Sequence, residues 1–218
     1  MKHTLQLTPI GLQRREARLF GFGALLFALG AAPGYAQAVG VTADNATYFI
    51  GSLFFTGGGV TQWASRELGA WRRPGEWQDW WAAGIQAMGT FFFNISTGSA
   101  LIVGLSATQE QRLVWRPDAF GSVCFLVASA LALVATTRRT RLWDPESRTW
   151  WPAWLNMLGS IAFGISALGA YVNPDSGELQ NASAADAGTF IGAVCFLAGA
   201  LVMRPRGAPR LSPEARPD

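Results

Sequence analysis

The stretch GTFIGAVCFLAG, residues 188–199, places Gly192 four residues before Phe196 and seven before Gly199. On a helix, offsets of four and seven fall on one face, so the stretch presents a notch, a ridge and a second notch to a neighbour. The same spacing recurs in five further apolar stretches, as Gly23/Phe27/Gly30, Gly51/Phe55/Gly58, Gly89/Phe93/Ser96, Gly121/Phe125/Ala128 and Gly159/Phe163/Ser166. Lipid tails are as apolar as leucine, so helices in a bilayer associate through close packing at small residues rather than through hydrophobicity. Glycine and phenylalanine are common in membrane helices, and one copy would mean little. A copy in each of six stretches defines a repeated unit.

Half of the 218 residues are apolar and 14% are charged, which is low for a soluble domain and ordinary for a membrane protein. A span of about 20 residues crosses a hydrocarbon core of about 30 Å. The stretches 19–38, 47–64, 80–105, 119–137, 150–172 and 187–203 meet or approach that length, and none contains an internal Asp, Glu, Lys or Arg. Residues 1–18 are expected to form a cytoplasmic tail, 19–203 the transmembrane domain, and 204–218, rich in Pro and Arg, a disordered cytoplasmic tail.

Lys and Arg gather on the cytoplasmic side of short loops. Lys2, Arg14, Arg15 and Arg18 precede the first stretch, Arg66, Arg72 and Arg73 follow the second, and Arg138, Arg139, Arg141 and Arg148 separate the fourth from the fifth. Arg204, Arg206, Arg210 and Arg216 lie in the tail, leaving Arg112 and Arg116 for the outer side. Both termini are therefore expected inside. Aromatic anchors sort the same way: nine tryptophans, Trp63, Trp71, Trp77, Trp80, Trp81, Trp143, Trp150, Trp151 and Trp154, fall near the inner interface, while Trp115, Tyr35, Tyr48 and Tyr171 fall near the outer one. The net charge of +3 reflects the inner arginines and suits anionic lipid headgroups, not nucleic acid.

The first stretch admits two readings. Arg14 to Arg18, the apolar run and Ala36-Gln37-Ala38 fit a secretory signal peptide with a small-residue cleavage site. A disposable signal has no packing reason to carry Gly23, Phe27 and Gly30, so the repeat favours a retained helix. The start of the mature chain decides between them.

A shift of 70 lays Trp80-Trp81 on Trp150-Trp151, Gln86 on Asn156 and Phe93-Asn94-Ile95-Ser96 on Phe163-Gly164-Ile165-Ser166. A shift of 71 lays Gly121-Ser122-Val123-Cys124-Phe125-Leu126 on Gly192-Ala193-Val194-Cys195-Phe196-Leu197. The unit is thus a helical hairpin that enters and leaves on one side. The chain reads as an all-α integral membrane protein, a six-transmembrane-helix bundle of three repeated hairpins, pseudo-threefold about the membrane normal with both termini inside. The run from Gly188 through Phe196 to Arg204-Pro205, with Gly159-Ser160-Ile161-Ala162-Phe163 before it, resembles the bacterial YrhK-like membrane domain. That resemblance implies a two-helix building block of unknown activity, and it supplies no catalytic residues. At the level of fold, the three-hairpin layout is also similar to bacterial six-helix stress-associated membrane proteins of the HdeD type.

Ion and proton transporters keep ionisable side chains inside the membrane, and these stretches hold none. His3, the only histidine, lies in the tail. There is no phosphate-binding glycine loop, zinc spacing or nucleophile elbow. No enzyme activity, cofactor or metal is expected. Cys124 and Cys195 occupy equivalent positions and read as small buried hydrophobes before they read as a redox pair. Gln62, Gln86, Asn94 and Asn156 are the polar groups at depth, either bonding across helices or, for Gln86, Asn94 and Asn156, lining a narrow cavity for a neutral solute. Gly57-Gly58-Gly59 gives either close helix contact or a bend. Trp115-Arg116-Pro117-Asp118 is expected to open the fourth helix, with Pro117 and Asp118 in its first turn. The favoured reading is a non-catalytic structural or partner-binding bundle of the bacterial inner membrane; the competing one is a passive facilitator of a small neutral or apolar solute. Either leaves open a homo-oligomer or a membrane-protein partner.

Overall fold

The computed structural model describes residues 9–70 and 77–203. Residues 1–8 of the expected N-terminal tail, His3 included, and the expected tail at 204–218 lie outside the described residues, as does the 71–76 segment with Trp71, Arg72 and Arg73, while residues 9–18, expected as tail, are helical. Among the described residues eight α-helices follow in chain order: α1 Pro9–Gly30, α2 Tyr35–Val39, α3 Val41–Ala70, α4 Trp77–Ser99, α5 Ala107–Glu110, α6 Arg116–Arg139, α7 Trp150–Gly169 and α8 Ala182–Met203. A π-helical turn, Gln111–Trp115, joins α5 to α6. By length and apolarity three helical segments qualify to cross a membrane: Ala107–Arg139, Trp150–Gly169 and Ala182–Met203.

The helix limits follow from local chemistry. The expected first stretch divides in two because Pro33 lacks an amide donor and Gly34 takes a left-handed φ of 85°, so α1 stops at Gly30 and α2 begins at Tyr35. As the sequence predicts, α6 begins at Arg116 with Pro117 and Asp118 in its first turn, but helical backbone also runs upstream of it. Ser106 opens that upstream backbone: Gln109 N donates to Ser106 Oγ at 3.4 Å, and Ser106 N donates to Gln109 Oε1 at 2.9 Å. Pro117 and Asp118 therefore also lie about three turns inside the continuous helical segment Ala107–Arg139. The ring of Pro117 removes a backbone donor just where the helix widens into the π turn, and such turns are a usual accommodation of an interrupted ladder.

The six long helices pack in a closed cycle, α1 on α3, α3 on α4, α4 on α6, α6 on α7, α7 on α8 and α8 back on α1. Their common interior is a single cluster containing Phe27, Phe55, Phe93, Phe125, Phe163 and Phe196. These rings form two stacked triangles. Phe27, Phe93 and Phe163 have centroids 6.3, 6.0 and 5.8 Å apart. Phe55, Phe125 and Phe196 stand 6.3, 6.1 and 5.5 Å apart. Many of the ring pairs meet edge to face or tilted, the arrangement the ring quadrupole prefers, worth about 0.5 to 1.5 kcal/mol a pair beyond area burial. The outward faces carry the larger aliphatics instead, among them Leu25, Leu53, Ile95, Val123, Ile161 and Val194, all exposed. The bundle has an aromatic and small-residue centre and an aliphatic coat.

Candidate functional site

The glycines and phenylalanines of the repeated spacing meet reciprocally within each hairpin. A Cβ on Gly51 would lie 2.8 Å from Phe27, and one on Gly23 would lie 3.0 Å from Phe55. In the second pair Gly89 receives Phe125 and Gly121 receives Phe93, each at 2.8 Å from the added carbon. In the third, Gly159 receives Phe196, and Gly192 lies under Phe163. Each ring occupies volume that a side chain on the partner glycine would need. The third position of the spacing is less uniform. Gly30 lies under Tyr48 and Gly58 under Phe20, Ser96 and Ala128 are buried, Ser166 bonds to α8, and Gly199 has only ordinary contact with Leu155. Gly57-Gly58-Gly59 makes close contact rather than a bend: α3 continues through it, and Gly59 would place a Cβ 3.0 Å from Ala87 Cα on α4.

Polar groups join one hairpin to the next. Asn94 Nδ2 donates to Thr56 Oγ1 at 2.8 Å, and Ser52 and Thr97 share a hydroxyl bond of 3.0 Å, linking α3 to α4. Asn156 Nδ2 donates to Ser129 Oγ at 2.8 Å, and Ser129 and Ser160 share a 2.6 Å bond, linking α6 to α7. Gln86 is buried on α4. Asn94 and Asn156 thus bond at helix seams while phenyl rings occupy the centre. Asn94 Oδ1 is buried without a partner. Of the residues after the motif glycines, Ser52 and Thr90 bond backbone carbonyls on their own helix, to Phe49 at 2.8 Å and Ala87 at 2.6 Å. Ser122 and Ser160 bond across helices instead, Ser122 donating to Phe163 O at 3.4 Å. Cys124 and Cys195 are free and half-buried.

Two carboxylates reach the interior that the sequence reading left at its margins. Glu16 is 3% exposed on α1, hydrogen-bonded to Gln62 of α3 with Arg66 nearby, and its Oε1 has no partner. Asp118 lines a small, partly open cavity with Phe27, Phe93, Ser122, Phe163, Ser166 and Thr189. The cavity offers ≈ 20 Å³ to the centre of a water molecule, room for about one. Periodicity could have signalled both. Glu16 precedes Phe20 by four and Phe27 by eleven, and Asp118 precedes Gly121 by three and Phe125 by seven, on the faces that point inward.

The ends of the bundle carry aromatic and polar clasps. Trp63 and Trp80 pair at 6.1 Å, and Trp150 meets Trp143, Trp151 and Trp154 between 4.8 and 5.9 Å. Arg139 of α6 pairs with Asp79 of α4 at that end. At the other end, Trp115 Nε1 donates to Ala167 O at 2.8 Å and its ring stands against Tyr171 at 4.8 Å. Among the described residues no three His, Cys, Asp or Glu side chains converge on one point. Compared with family models, curated proteins and solved structures, the chain matches none.

Proposed function

We propose that the chain is a non-catalytic structural or partner-binding bundle of the bacterial inner membrane, crossing it six times with both termini in the cytoplasm. Three hairpins, α1/α3, α4/α6 and α7/α8, are related by pseudo-threefold rotation about the membrane normal, each the kind of two-helix block that the YrhK-like resemblance implies. The observation that carries this reading is the centre of the cycle, where two triangles of phenylalanine, 0 to 6% exposed, occupy the axis. A facilitator needs a continuous path with polar groups turned into it. Here the interior polar amides of Asn94 and Asn156 are engaged between helices. Six crossings rather than three are supported by exposed aliphatics on the less apolar helices: Leu25 and Leu29 of α1, Ile50 and Leu53 of α3, and Met88 and Ile95 of α4. Water offers no reason to array such residues around a bundle, and acyl chains do.

Solute flux tests the functional half. Proteoliposomes loaded with the chain are expected to swell in glycerol or urea no faster than empty vesicles. Swelling that accelerates with protein and slows on Asn94→Leu would replace the scaffold by the facilitator.

A further inference from the structure

We propose that the axial cavity beside Asp118 is a binding site for a monovalent cation the size of a water molecule. Asp118 makes no hydrogen bond or ion pair among the described residues, and it lies half-buried against the cavity it lines. A carboxylate in such a place keeps its charge only beside a compensating positive charge or a donor, and without one it takes up a proton.

The hydroxyls around it supply neither. Ser166 Oγ donates its proton to Ala185 O at 2.7 Å, so in its 2.7 Å bond to Thr189 the threonine is the donor. Ser122 Oγ donates to Phe163 O at 3.4 Å. The protons of Ser166 and Thr189 are thus engaged with each other and with Ala185, the Ser122 contact is long, and what Ser166 and Thr189 leave for the cavity is lone pairs. The polar lining is therefore rich in acceptors, one carboxylate and three hydroxyl oxygens, beside three phenyl rings. Those rings belong to the Phe27, Phe93 and Phe163 triangle, and aromatic faces also favour cations over anions.

Size and charge narrow the ligand. The ≈ 20 Å³ of room admits one species of water dimensions, which ammonium and sodium satisfy and an organic amine does not. Calcium takes six to eight oxygen ligands and more than one carboxylate as a rule, whereas this site has a single carboxylate. The ion need not pass through the bundle, because the Phe55, Phe125 and Phe196 triangle is stacked beneath the first. The site is thus compatible with a closed scaffold and stands or falls apart from it.

The test is thermal unfolding of the full chain in detergent, in chloride salts of sodium, ammonium or N-methylglucamine at equal ionic strength. The melting temperature is expected to rise saturably with sodium or ammonium over the bulky cation, and the salt with the lower half-saturating concentration identifies the ligand. Asp118→Asn is expected to abolish that rise. Thr189→Val, which keeps the side-chain shape and deletes one acceptor, raises the half-saturating concentration about tenfold or more and decides the matter should the first variant not fold. Equal melting temperatures in the three salts, an undiminished response in Asp118→Asn or Thr189→Val, or a response confined to added calcium would each overturn the site.

Discussion

A methyl group on Gly192 would run into Phe163 Cδ1, while the same group on Gly199 would meet nothing nearer than Leu155 Cβ at 3.6 Å. The two glycines lie two turns apart on one helix, in one motif, and their tolerance of alanine should differ in sign. Gly192→Ala is expected to destabilise by about 1 to 3 kcal/mol, because Phe163 sits in a packed triangle with nowhere to move. Gly199→Ala should be neutral or stabilising, since ordinary contact and reduced chain entropy both favour it. Denaturation of each purified variant in sodium dodecyl sulfate titrations measures the difference. Equal effects at both positions would mean that the phenylalanine does not fill the glycine notch. The spacing in the sequence named both residues and could not distinguish them, because what separates them is the presence of a ring on the facing helix.

Between elements the chain uses two kinds of contact, and only one was legible in advance. Within hairpins the Gly-Phe exchange follows from period and residue size, so it could be read from the repeat. Between hairpins the contacts are hydroxyl and amide bonds whose partners are far apart in sequence, such as Ser129 with Asn156 and Ser160. Polar residues at depth were visible, but whether they face a seam or a lumen depends on helix rotation, which spacing alone does not set. The helical turns upstream of α6 escape the spacing for a related reason. Pro117 and Asp118 are good first-turn residues, and the capping box that starts those turns lies eleven residues before Pro117, in a segment too polar to be counted with the span. Ser129 is the hub of its seam, so Ser129→Ala should remove bonds from both Asn156 and Ser160 and cost about 0.6 to 2 kcal/mol, the range for polar contacts in membrane bundles. The double variant Ser129→Ala/Ser160→Ala should cost little more than the single. Additive losses in the same denaturation assay would show that the two hydroxyls act separately.

At the scale of the whole molecule, the cycle closes where the first long helix meets the last. The α1/α8 contact differs from the other joins between hairpins: Gly21 of α1 faces Ala200 and Leu197 of α8, beside the buried Ala24, Ala28 and Ala193 of the core, and among the described residues it lacks the hydroxyl bonds seen at α3/α4 and α6/α7. Its one long-range hydrogen bond among the described residues runs from Gln13 Nε2 to Met203 O at 3.1 Å, at the helix ends. Sequence reading left the retention of α1 open, and this seam is where the answer becomes measurable. A Cβ on Gly21 would stand 3.7 Å from Ala200 Cβ, close to the mean Cβ separation of about 3.8 Å in disulfides. With Cys124 and Cys195 replaced by alanine, Gly21→Cys/Ala200→Cys should oxidise to an intramolecular bridge in native membranes, seen as a reducible change in electrophoretic mobility of the monomer. A chain cleaved after α1 has no cysteine at position 21 to bridge, and an open arc of helices holds the two thiols apart. Failure to cross-link under oxidant, with both thiols still alkylated after denaturation, would therefore break the cycle at its one apolar join.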